Sequence, residues 1–340
     1  MKQKLVKYLA VFAYCSGLCA LFYWINRKAK RILTFHNVLP DEMFRDGVAN
    51  GVSTRLSDFE KIIDECAKRF LFSTDLFDPG TLTATFDDGY RNQYTTAYKS
   101  LHDRGIPAYI FVAGKCLHGS NTKCGCSCLV IDKLTHWIDN VPVGVYQLGE
   151  ANGSVEINDE NRAEVWKNVI WPMFMKDGEN MGLGVYETCD RVYPIEKVLD
   201  ALPYEYRNER LQSVTMSECE EMMSAGWKVG WHTENHYPLS MMSADVVERE
   251  LDSPAVFRGT CLSYPYGNPV EVGETAISVA RRMGYPCAVS NTNESDWNTS
   301  PFFLPRMSLS SNKYRLHFRL SGMEYFIKHG RLLPKIVKGR

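Results

Sequence analysis

Residues 82–89 read Leu-Thr-Ala-Thr-Phe-Asp-Asp-Gly, a strand-like run that ends on two adjacent carboxylates, Asp87 and Asp88. Further along, in the run Trp-His-Thr-Glu-Asn-His, His232 and His236 lie four residues apart. Two imidazoles and one carboxylate can hold a divalent ion at three positions and leave a fourth open for water. The second carboxylate is then free to act as a base on that water. Either pattern alone occurs by chance, but both at the ends of strand-like runs indicate a hydrolytic metal site.

The composition is that of an ordinary globular protein. Of 340 residues, 45% are hydrophobic and 23% are charged, which fits two average domains or one large α/β barrel without a long disordered tract. The formal net charge of -1 gives no support for a nucleic-acid partner. The 11 cysteines are odd in number and scattered, and five lie in apolar or helical patterns, namely Cys66, Cys189, Cys219, Cys261 and Cys287. Buried free thiols and a reducing compartment are therefore the simpler interpretation.

Residues 1–30 are predicted to associate with a membrane. No charged residue occurs from Tyr8 to Ile25, while three lysines precede this run and four cationic residues follow it closely. Such a run lies at the lower edge of what spans a bilayer, so a true span, an interfacial helix and a helix packed on the domain all stay open. Its bulky C-terminal end fits a cleaved signal peptide poorly. The stronger positive cluster after the run favours a cytoplasmic catalytic part.

Strand-like and helix-like segments alternate along the rest of the chain. Predicted strands cover residues 31–38, 82–86, 107–112, 227–231, 260–264, 286–290 and 302–309. Predicted helices cover about residues 57–70, 91–104, 215–226, 244–251, 270–283 and 318–329, and Ser57 with Glu60 and Thr215 with Glu218 match capping boxes. This alternation predicts an α/β fold, a distorted (β/α) barrel of about seven strands with functional residues at strand carboxyl ends.

Residues 116–214 break this rhythm and are predicted to form an inserted subdomain, because nearly a hundred residues is far more than a loop needs. The stretch contains Cys124, Cys126 and Cys128. Structural zinc sites usually have wider Cys spacing, so a second metal site, free thiols and a local disulfide all stay open here.

Outside that insertion, the chain resembles the polysaccharide deacetylases, carbohydrate esterase family four, which remove acetyl groups from N-acetylated sugars. The resemblance covers about residues 31–115 and 215–309, within a catalytic domain expected at 31–340. The first family motif, TFDDG, is matched at residues 85–89, and the second, H-[ST]-x-x-H, at residues 232–236. The resemblance implies a catalytic base at the first motif and metal ligands at both, which are Asp87 as base and Asp88, His232 and His236 as ligands.

The third motif usually reads R-x-P-[YF], and here it reads Ser-Tyr-Pro-Tyr at residues 263–266. The resemblance implies that the backbone N–H of Tyr266 helps stabilise the oxyanion. The arginine that normally orients the base is replaced by Ser263. Arg306, near the end of a later extended segment, is the candidate that supplies the lost cation.

The general-acid histidine that the family usually places near the C-terminus is not evident after Arg306, where His317 lies in a poor context. His36, in Leu-Thr-Phe-His-Asn-Val, ends the first strand instead. Some members, such as biofilm poly-N-acetylglucosamine deacetylases, look circularly permuted, with the acid histidine on an N-terminal strand. We therefore expect His36 to be the general acid and the chain to be of the permuted variety.

Together these residues predict a metal-dependent hydrolase that removes acetyl groups from N-acetylated sugars or polysaccharide by cleaving a linear amide. Mixed nitrogen and oxygen ligation favours zinc, although cobalt, nickel or manganese also suits such a site. The alternatives are an O-acetyl esterase with the same site and a catalytically inactive sugar-binding or assembly protein. A metal phosphohydrolase is not supported, because the sequence has no Gly-rich phosphate loop or Arg cluster. The expected partners are an acetylated saccharide and, through residues 1–30, a membrane.

Overall fold

The computed structural model describes residues 2–118, 129–149, 153–292 and 300–334. The strands in this part are β1 (Arg31–Phe35), β2 (Asn37–Leu39), β3 (Ser53–Arg55), β4 (Leu82–Phe86), β5 (Ala108–Val112), β6 (Gly144–Gln147), β7 (Ser154–Ile157), β8 (Lys228–Trp231), β9 (Leu262–Ser263) and β10 (Ala288–Val289). The α-helices are α1 (Lys2–Cys15), α2 (Leu18–Ile25), α3 (Leu56–Ala67), α4 (Lys99–His102), α5 (Gly114–His118), α6 (Val130–Asn140), α7 (Arg162–Val165), α8 (Trp171–Lys176), α9 (Leu183–Val192), α10 (Ile195–Asp200), α11 (Tyr204–Arg210), α12 (Met216–Ser224), α13 (Ala244–Leu251), α14 (Pro269–Arg282), α15 (Lys313–Leu320) and α16 (Met323–His329). Short 3₁₀ turns cover Asp41–Met43, Gly178–Asn180, Leu239–Met241 and Ala255–Phe257, and π-helical turns cover Gln93–Tyr98 and Trp166–Ile170.

Six strands form one parallel sheet in the order β1-β4-β5-β8-β9-β10. The predicted last extended piece bonds to both edges of this sheet. On one edge the N–H of Leu304 donates to the Ala288 carbonyl at 2.8 Å. On the other, the N–H of Met307 donates to the Ile32 carbonyl at 2.8 Å, and Thr34 donates back to Met307 at 3.1 Å. The parallel α/β architecture is confirmed, and the seventh strand position is filled by isolated bridges rather than by a regular strand.

The first three sheet strands, β1, β4 and β5, are buried along their whole length. This is typical of parallel strands with helices on both faces. Phe86, the last residue of β4, stacks on Phe35 at 5.6 Å and on Trp227 at 5.7 Å between ring centroids. The aromatic core thus fixes the end of β4 from which the two carboxylates project.

The first predicted strand, residues 31–38, is divided at His36. β1 belongs to the main sheet, whereas β2 pairs with β3 in a separate two-stranded sheet. The Asn92 side chain accepts the Val38 N–H at 2.9 Å and so satisfies a donor that the main sheet no longer reaches. His36 therefore lies where the chain leaves the sheet.

Two predicted capping boxes have different outcomes. The box at Thr215 is confirmed, because its hydroxyl accepts the Glu218 N–H at 3.2 Å and the Glu218 carboxylate accepts the Thr215 N–H at 2.7 Å. The box at Ser57 is wrong. α3 begins one residue earlier, and the Ser57 N–H donates to Asp41 Oδ1 at 2.9 Å. A carboxylate distant in sequence has replaced the local cap.

The predicted helices at 91–104 and 318–329 are also only partly right. The first is π-helical over Gln93–Tyr98 before α4 begins. The second is divided into α15 and α16 at Gly322, whose φ of 87° ends the first helix and begins the next.

The N-terminal run folds as α1 and α2, which meet at a bend of 79°. Gly17, with φ of 81°, lies at this bend. Among the described residues, no single helix is long and apolar enough to cross a bilayer, although this bent pair satisfies length and composition together. Ala10 and Ala13 on one face of α1 are buried against Phe318 of α15.

The stretch predicted as an insertion contains α6 to α11 and the antiparallel hairpin of β6 and β7. Its buried side chains, such as Trp137 and Ile170, belong to the same hydrophobic cluster as the sheet. Its independence as a subdomain stays a prediction, and Cys124, Cys126 and Cys128 lie outside the described residues. Thiols that were predicted to be free and buried are so, namely Cys66, Cys189, Cys219, Cys261 and Cys287.

Candidate metal centre

The two adjacent carboxylates lie in a tight turn at the carboxyl end of β4. The N–H of Asp87 donates to the Phe35 carbonyl at 3.0 Å, which continues the sheet bonding by one residue. The chain then turns through positive φ values at Asp88 (78°) and Gly89 (80°). A Cβ on Gly89 would lie 2.6 Å from a methyl carbon of Val112, so the turn requires glycine at this position.

The two histidines lie in a second turn, at the carboxyl end of β8. Thr233 and His236 have φ values of 65° and 54°. The Thr233 hydroxyl accepts the His236 N–H at 3.1 Å, which explains a hydroxyl residue at this motif position. The buried Glu250 carboxylate accepts the Asn235 N–H at 2.8 Å and holds the turn from the outside. Four of the five described non-glycine residues with positive φ, Asp88, Thr233, His236 and Tyr266, lie at this site, as strained backbone often does at functional sites.

Three predicted ligands, Asp88, His232 and His236, converge on one point. Their ligand atoms all lie within 4.8 Å of one another, and all three residues are buried. Nε2 of His232 and Nε2 of His236 lie 3.2 and 2.9 Å from Oδ1 of Asp88. These spacings suit a single small ion bonded at about 2 Å to each ligand. Oδ1 of Asp88 is buried and has no hydrogen-bond donor in the described part of the chain, so the residues fit a metal.

Neighbouring groups keep His232 and Asp88 in the forms that bind a cation. Nδ1 of His232 lies 2.8 Å from the Ser263 carbonyl, which can only accept, so Nε2 keeps its lone pair for a metal. Burial alone would raise the pKa of Asp88, but the His236 and His232 imidazoles hold it well below its ordinary value. Asp88 is therefore an anion, the form that binds metal.

Arg306 reaches the other carboxylate from the closing segment of the sheet. Its Nη1 and Nη2 donate to the two oxygens of Asp87 at 2.7 and 2.5 Å, and both side chains are fully buried. Burial tends to raise the pKa of Asp87, and the Arg306 and His232 charges lower it below its ordinary value. Ser263, which stands where the family motif has arginine, donates its hydroxyl to Asp87 at 3.2 Å and accepts from Arg306 at 3.1 Å. Ser263 at the motif position and Arg306 from a distant segment therefore both contact Asp87.

His36 faces the same carboxylate from the end of β1. Its Nε2 lies 3.9 Å from Oδ2 of Asp87, and 16% of its side chain is exposed, so it is open to the cavity. The side-chain amide of Gln93 donates to the carbonyls of both His36, at 2.9 Å, and Asp87, which ties the two strand ends together. Burial lowers the pKa of His36 despite the two nearby aspartates.

Tyr266 follows β9, and its φ is 59°. Within the described residues its backbone N–H donates to no acceptor, so it is available to a bound group. Its ring lies 5.0 Å from that of His236 and 5.2 Å from that of Trp171. The structure thus brings together all seven predicted site residues at the carboxyl ends of the strands. The discarded candidate, His317, lies on α15 and bonds to Tyr23 at 2.9 Å.

A cavity of about 410 Å³ opens beside this cluster. His36, Asp88, His236 and Tyr266 line one side, and Trp166 and Trp171 from the 116–214 stretch line the other. Its mixture of aromatic walls and a few polar groups is typical of a small-molecule site.

Sequence reasoning missed a polar cluster in the same cavity wall. Asp132 and Arg210 form a buried ion pair at 3.1 Å, and the Tyr90 hydroxyl donates to Asp132 at 2.8 Å. Nη1 of Arg210 is buried without a hydrogen-bond partner in the described part of the chain. The one sequence signal was the position of Tyr90, directly after the TFDDG motif. Asp132 lies 42 residues after Tyr90, and Arg210 lies 78 residues after Asp132, so no local pattern joins the three.

No protein-family model matches the chain, and no curated protein matches it either. Solved structures do. The deacetylase PplD of Streptococcus pyogenes, determined in complex with acetate, has 14% identity and a TM-score of 0.51, over 86% of this chain and 97% of that one. IcaB from Ammonifex degensii has 15% identity and a TM-score of 0.45, over 86% and 96%. A polysaccharide deacetylase from Bacillus cereus has 13% identity and a TM-score of 0.43, over 86% and 69%.

The chain has the polysaccharide deacetylase fold. The predicted fold is thereby confirmed. At 14% identity the likeness concerns the fold, and the roles of individual residues stay predictions. Circular permutation of the chain also stays a prediction.

Proposed function

We propose that this protein is a metal-dependent deacetylase of N-acetylated saccharides that cleaves a linear amide. The observation that carries the proposal is the buried triad of Asp88, His232 and His236, with a second carboxylate, Asp87, ion-paired beside it. A structural aspartate needs no such neighbours, whereas hydrolysis by a bound metal needs three ligands and a separate base.

Asp88, His232 and His236 would hold the ion, with zinc the preferred species for mixed nitrogen and oxygen ligands. A divalent metal supplies Lewis acidity toward a carbonyl oxygen and lowers the pKa of bound water. The remaining chemistry belongs to Asp87, whose low pKa makes it an anion able to accept a proton from water. Arg306 fixes both oxygens of that base, so the carboxylate cannot rotate away from the cavity.

His36 would protonate the departing sugar amine. Because burial lowers its pKa, the imidazole is neutral near pH 7 before reaction and needs a proton source. Asp87, 3.9 Å away, becomes that source once it has taken a proton from water. The base and the acid are thus neighbours, and one proton passes from water to the amine.

The Tyr266 N–H would donate to the oxygen that gains negative charge during attack. A backbone donor is fixed before reaction and needs no reorganisation, which favours catalysis. Tyr266 is held by its turn at positive φ and by ring contact with Trp171.

The two alternatives are less well supported. An inactive binding protein was conceivable because the motif arginine is missing, but Arg306 and Ser263 together contact the base instead. An O-acetyl esterase would use the same groups but has less need of an acid, since an alkoxide leaves more readily than an unprotonated amide nitrogen. His36 beside the base therefore favours the amide.

The test is acetate release from matched pairs of N-acetylated and O-acetylated saccharides, with and without a chelator. We expect chelator-sensitive release from the N-acetylated members. Asp87→Asn is the matched control, because it keeps size and metal but cannot accept the proton, and we expect turnover to fall by about a hundredfold or more. Release from O-acetylated substrates alone would identify the esterase, and no release from any would support the binding protein.

We further propose that α1 and α2 attach the protein to a membrane surface. The large apolar side chains on their outer face are exposed, namely Leu5, Tyr8, Phe12, Leu21 and Trp24. Because the opposite face of α1 packs on α15, an interfacial position suits this pair better than a span. A cytoplasmic catalytic part rests on the distribution of positive charge alone.

A further inference from the structure

A second cavity, of about 640 Å³, lies at the opposite end of β4 from the metal ligands. It is enclosed by α1, α2, the residues that follow α3, and Gly80, which precedes β4. Neither the motifs nor the proposed reaction uses it. Its volume exceeds that of the cavity beside the triad, so it is large enough for a ligand of its own.

The walls of this cavity are aromatic, and its charged lining groups are all cationic. Tyr14, Tyr23, Trp24 and Phe70 supply four rings, while Arg27 and Arg69 supply two guanidinium groups.

The two arginines contact rings rather than acids, and Nη1 of Arg27 also donates to the Trp24 carbonyl at 2.9 Å. The Arg27 guanidinium lies 4.9 Å from the Trp24 ring, and that of Arg69 lies 5.4 Å from the Tyr23 ring. Within the described residues, neither arginine forms an ion pair with a carboxylate. Glu65, which interacts with the charge of Arg69, already bonds to Lys68 at 2.5 Å. Two guanidinium groups therefore remain available to an anion.

The helices that line the cavity also carry exposed apolar side chains. Leu5, Tyr8 and Phe12 follow one face of α1, with 60%, 72% and 63% of each residue exposed, and Trp24 at the cavity itself is 64% exposed. No Asp or Glu occurs in the first 40 residues of the chain. An apolar helix face flanked by cations and by Tyr and Trp is typical of contact with an anionic bilayer surface.

We propose that this cavity binds the headgroup of an anionic phospholipid, with its phosphate between Arg27 and Arg69. Guanidinium groups bind phosphate through charge-assisted hydrogen bonds. The aromatic walls would enclose the glycerol and the first carbons of the acyl chains, which an inorganic phosphate could not fill. The exposed face of α1 and α2 would lie in the same bilayer surface. This site is independent of the deacetylase proposal, because none of its residues lines the catalytic cavity.

The test uses the full-length protein and dihexanoylphosphatidylglycerol below its micelle concentration, so that binding to a site is separated from adsorption to a bilayer. We expect a saturable rise in the melting temperature with this lipid. Dihexanoylphosphatidylcholine and inorganic phosphate at equal concentration should give none. Arg27→Gln with Arg69→Gln should weaken the lipid affinity by about tenfold or more, since two charge-assisted bonds are lost.

Lys4→Gln with Lys7→Gln is the matched control. It also removes two positive charges, both from α1, but neither lysine lines the cavity, so the affinity for the short-chain lipid should be unchanged. Acetate release from a soluble saccharide should be unchanged in both double variants. Absence of a saturable shift, equal loss in both variants, or an equal shift with inorganic phosphate would each overturn the proposal.

Discussion

Arg306 and Asp87 form the ion pair on which the candidate base depends. Both are buried, with side-chain exposures of 0% and 2%, and the guanidinium contacts both carboxylate oxygens. Removing one partner of such a pair strands a buried charge and costs about 3–5 kcal/mol. The pair therefore contributes to stability and to the charge state of the base.

The first prediction concerns pH. Arg306 lowers the pKa of Asp87, and the base acts only when ionised, so activity is lost as pH falls through this pKa. Arg306→Met should raise the pKa of Asp87 and move the acid limb of the pH–rate profile to higher pH. Arg306→Lys keeps a charge and should move the limb less. An acid limb unchanged in a folded Arg306→Met protein would show that Asp87 is not the titrating base.

The second prediction concerns His36. An amine leaves poorly unless it is protonated, whereas the phenolate of an aryl acetate leaves well. His36→Ala should therefore reduce hydrolysis of an N-acetylated sugar by about a hundredfold or more and affect an activated aryl acetate much less.

Metal content provides the control for His36→Ala, because it should stay the same. Metal loss would identify His36 as a ligand. Equal loss of amide and ester hydrolysis in a folded, metal-loaded variant would exclude the acid role.

At the scale of single elements, the strands that carry the site were predictable. β4 and β8 are short apolar runs followed by polar residues, and the strand at 82–86 has the predicted bounds. The cap of α3 was not predictable, because Ser57 and Glu60 form a good local pattern but Asp41, 16 residues away, accepts the Ser57 N–H. Local patterns predict contacts within a turn, and tertiary contacts override them where a stronger acceptor is brought close.

The third prediction tests the turn after β4. Gly89→Ala places a Cβ against Val112 and forces alanine into positive φ, so it should lower stability by about 1–3 kcal/mol and weaken metal binding. Gly105→Ala is the control, because Gly105 also has positive φ but has open space around it. Equal effects of the two changes on melting temperature and metal content would show that the close contact with Val112 has no importance.

At the scale of the molecule, the candidate site residues come together only because the sheet curls until its edges share one segment. Arg306 follows Leu304, which bonds to β10, and precedes Met307, which bonds to β1. The sequence identified Arg306 as a candidate but did not indicate which residues of the closing segment would pair with the two sheet edges. The same limit hid Arg210, whose contact with Asp132 depends on how the 116–214 stretch packs on the sheet.

The two ends of the sheet carry different groups. The carboxyl end holds the triad, while the amino end of β4 adjoins α1 and α2 and their cationic cavity. A membrane contact at that end would leave the catalytic cavity facing away from the attached surface. The arginine substitutions of the lipid-binding experiment should therefore leave acetate release unchanged.

One metal ion at Asp88, His232 and His236 should be needed for acetate release. The direct test strips the protein with a chelator and measures acetate release from an N-acetylated saccharide as Zn²⁺ is added back. We expect release to rise linearly and stop rising at about one equivalent of metal, since the three ligands converge on one point. His232→Ala and His236→Ala should bind no metal tightly and stay inactive across the titration. Full activity in the stripped protein, or a titration of either histidine variant that matches that of the unaltered protein, would contradict the proposed metal site.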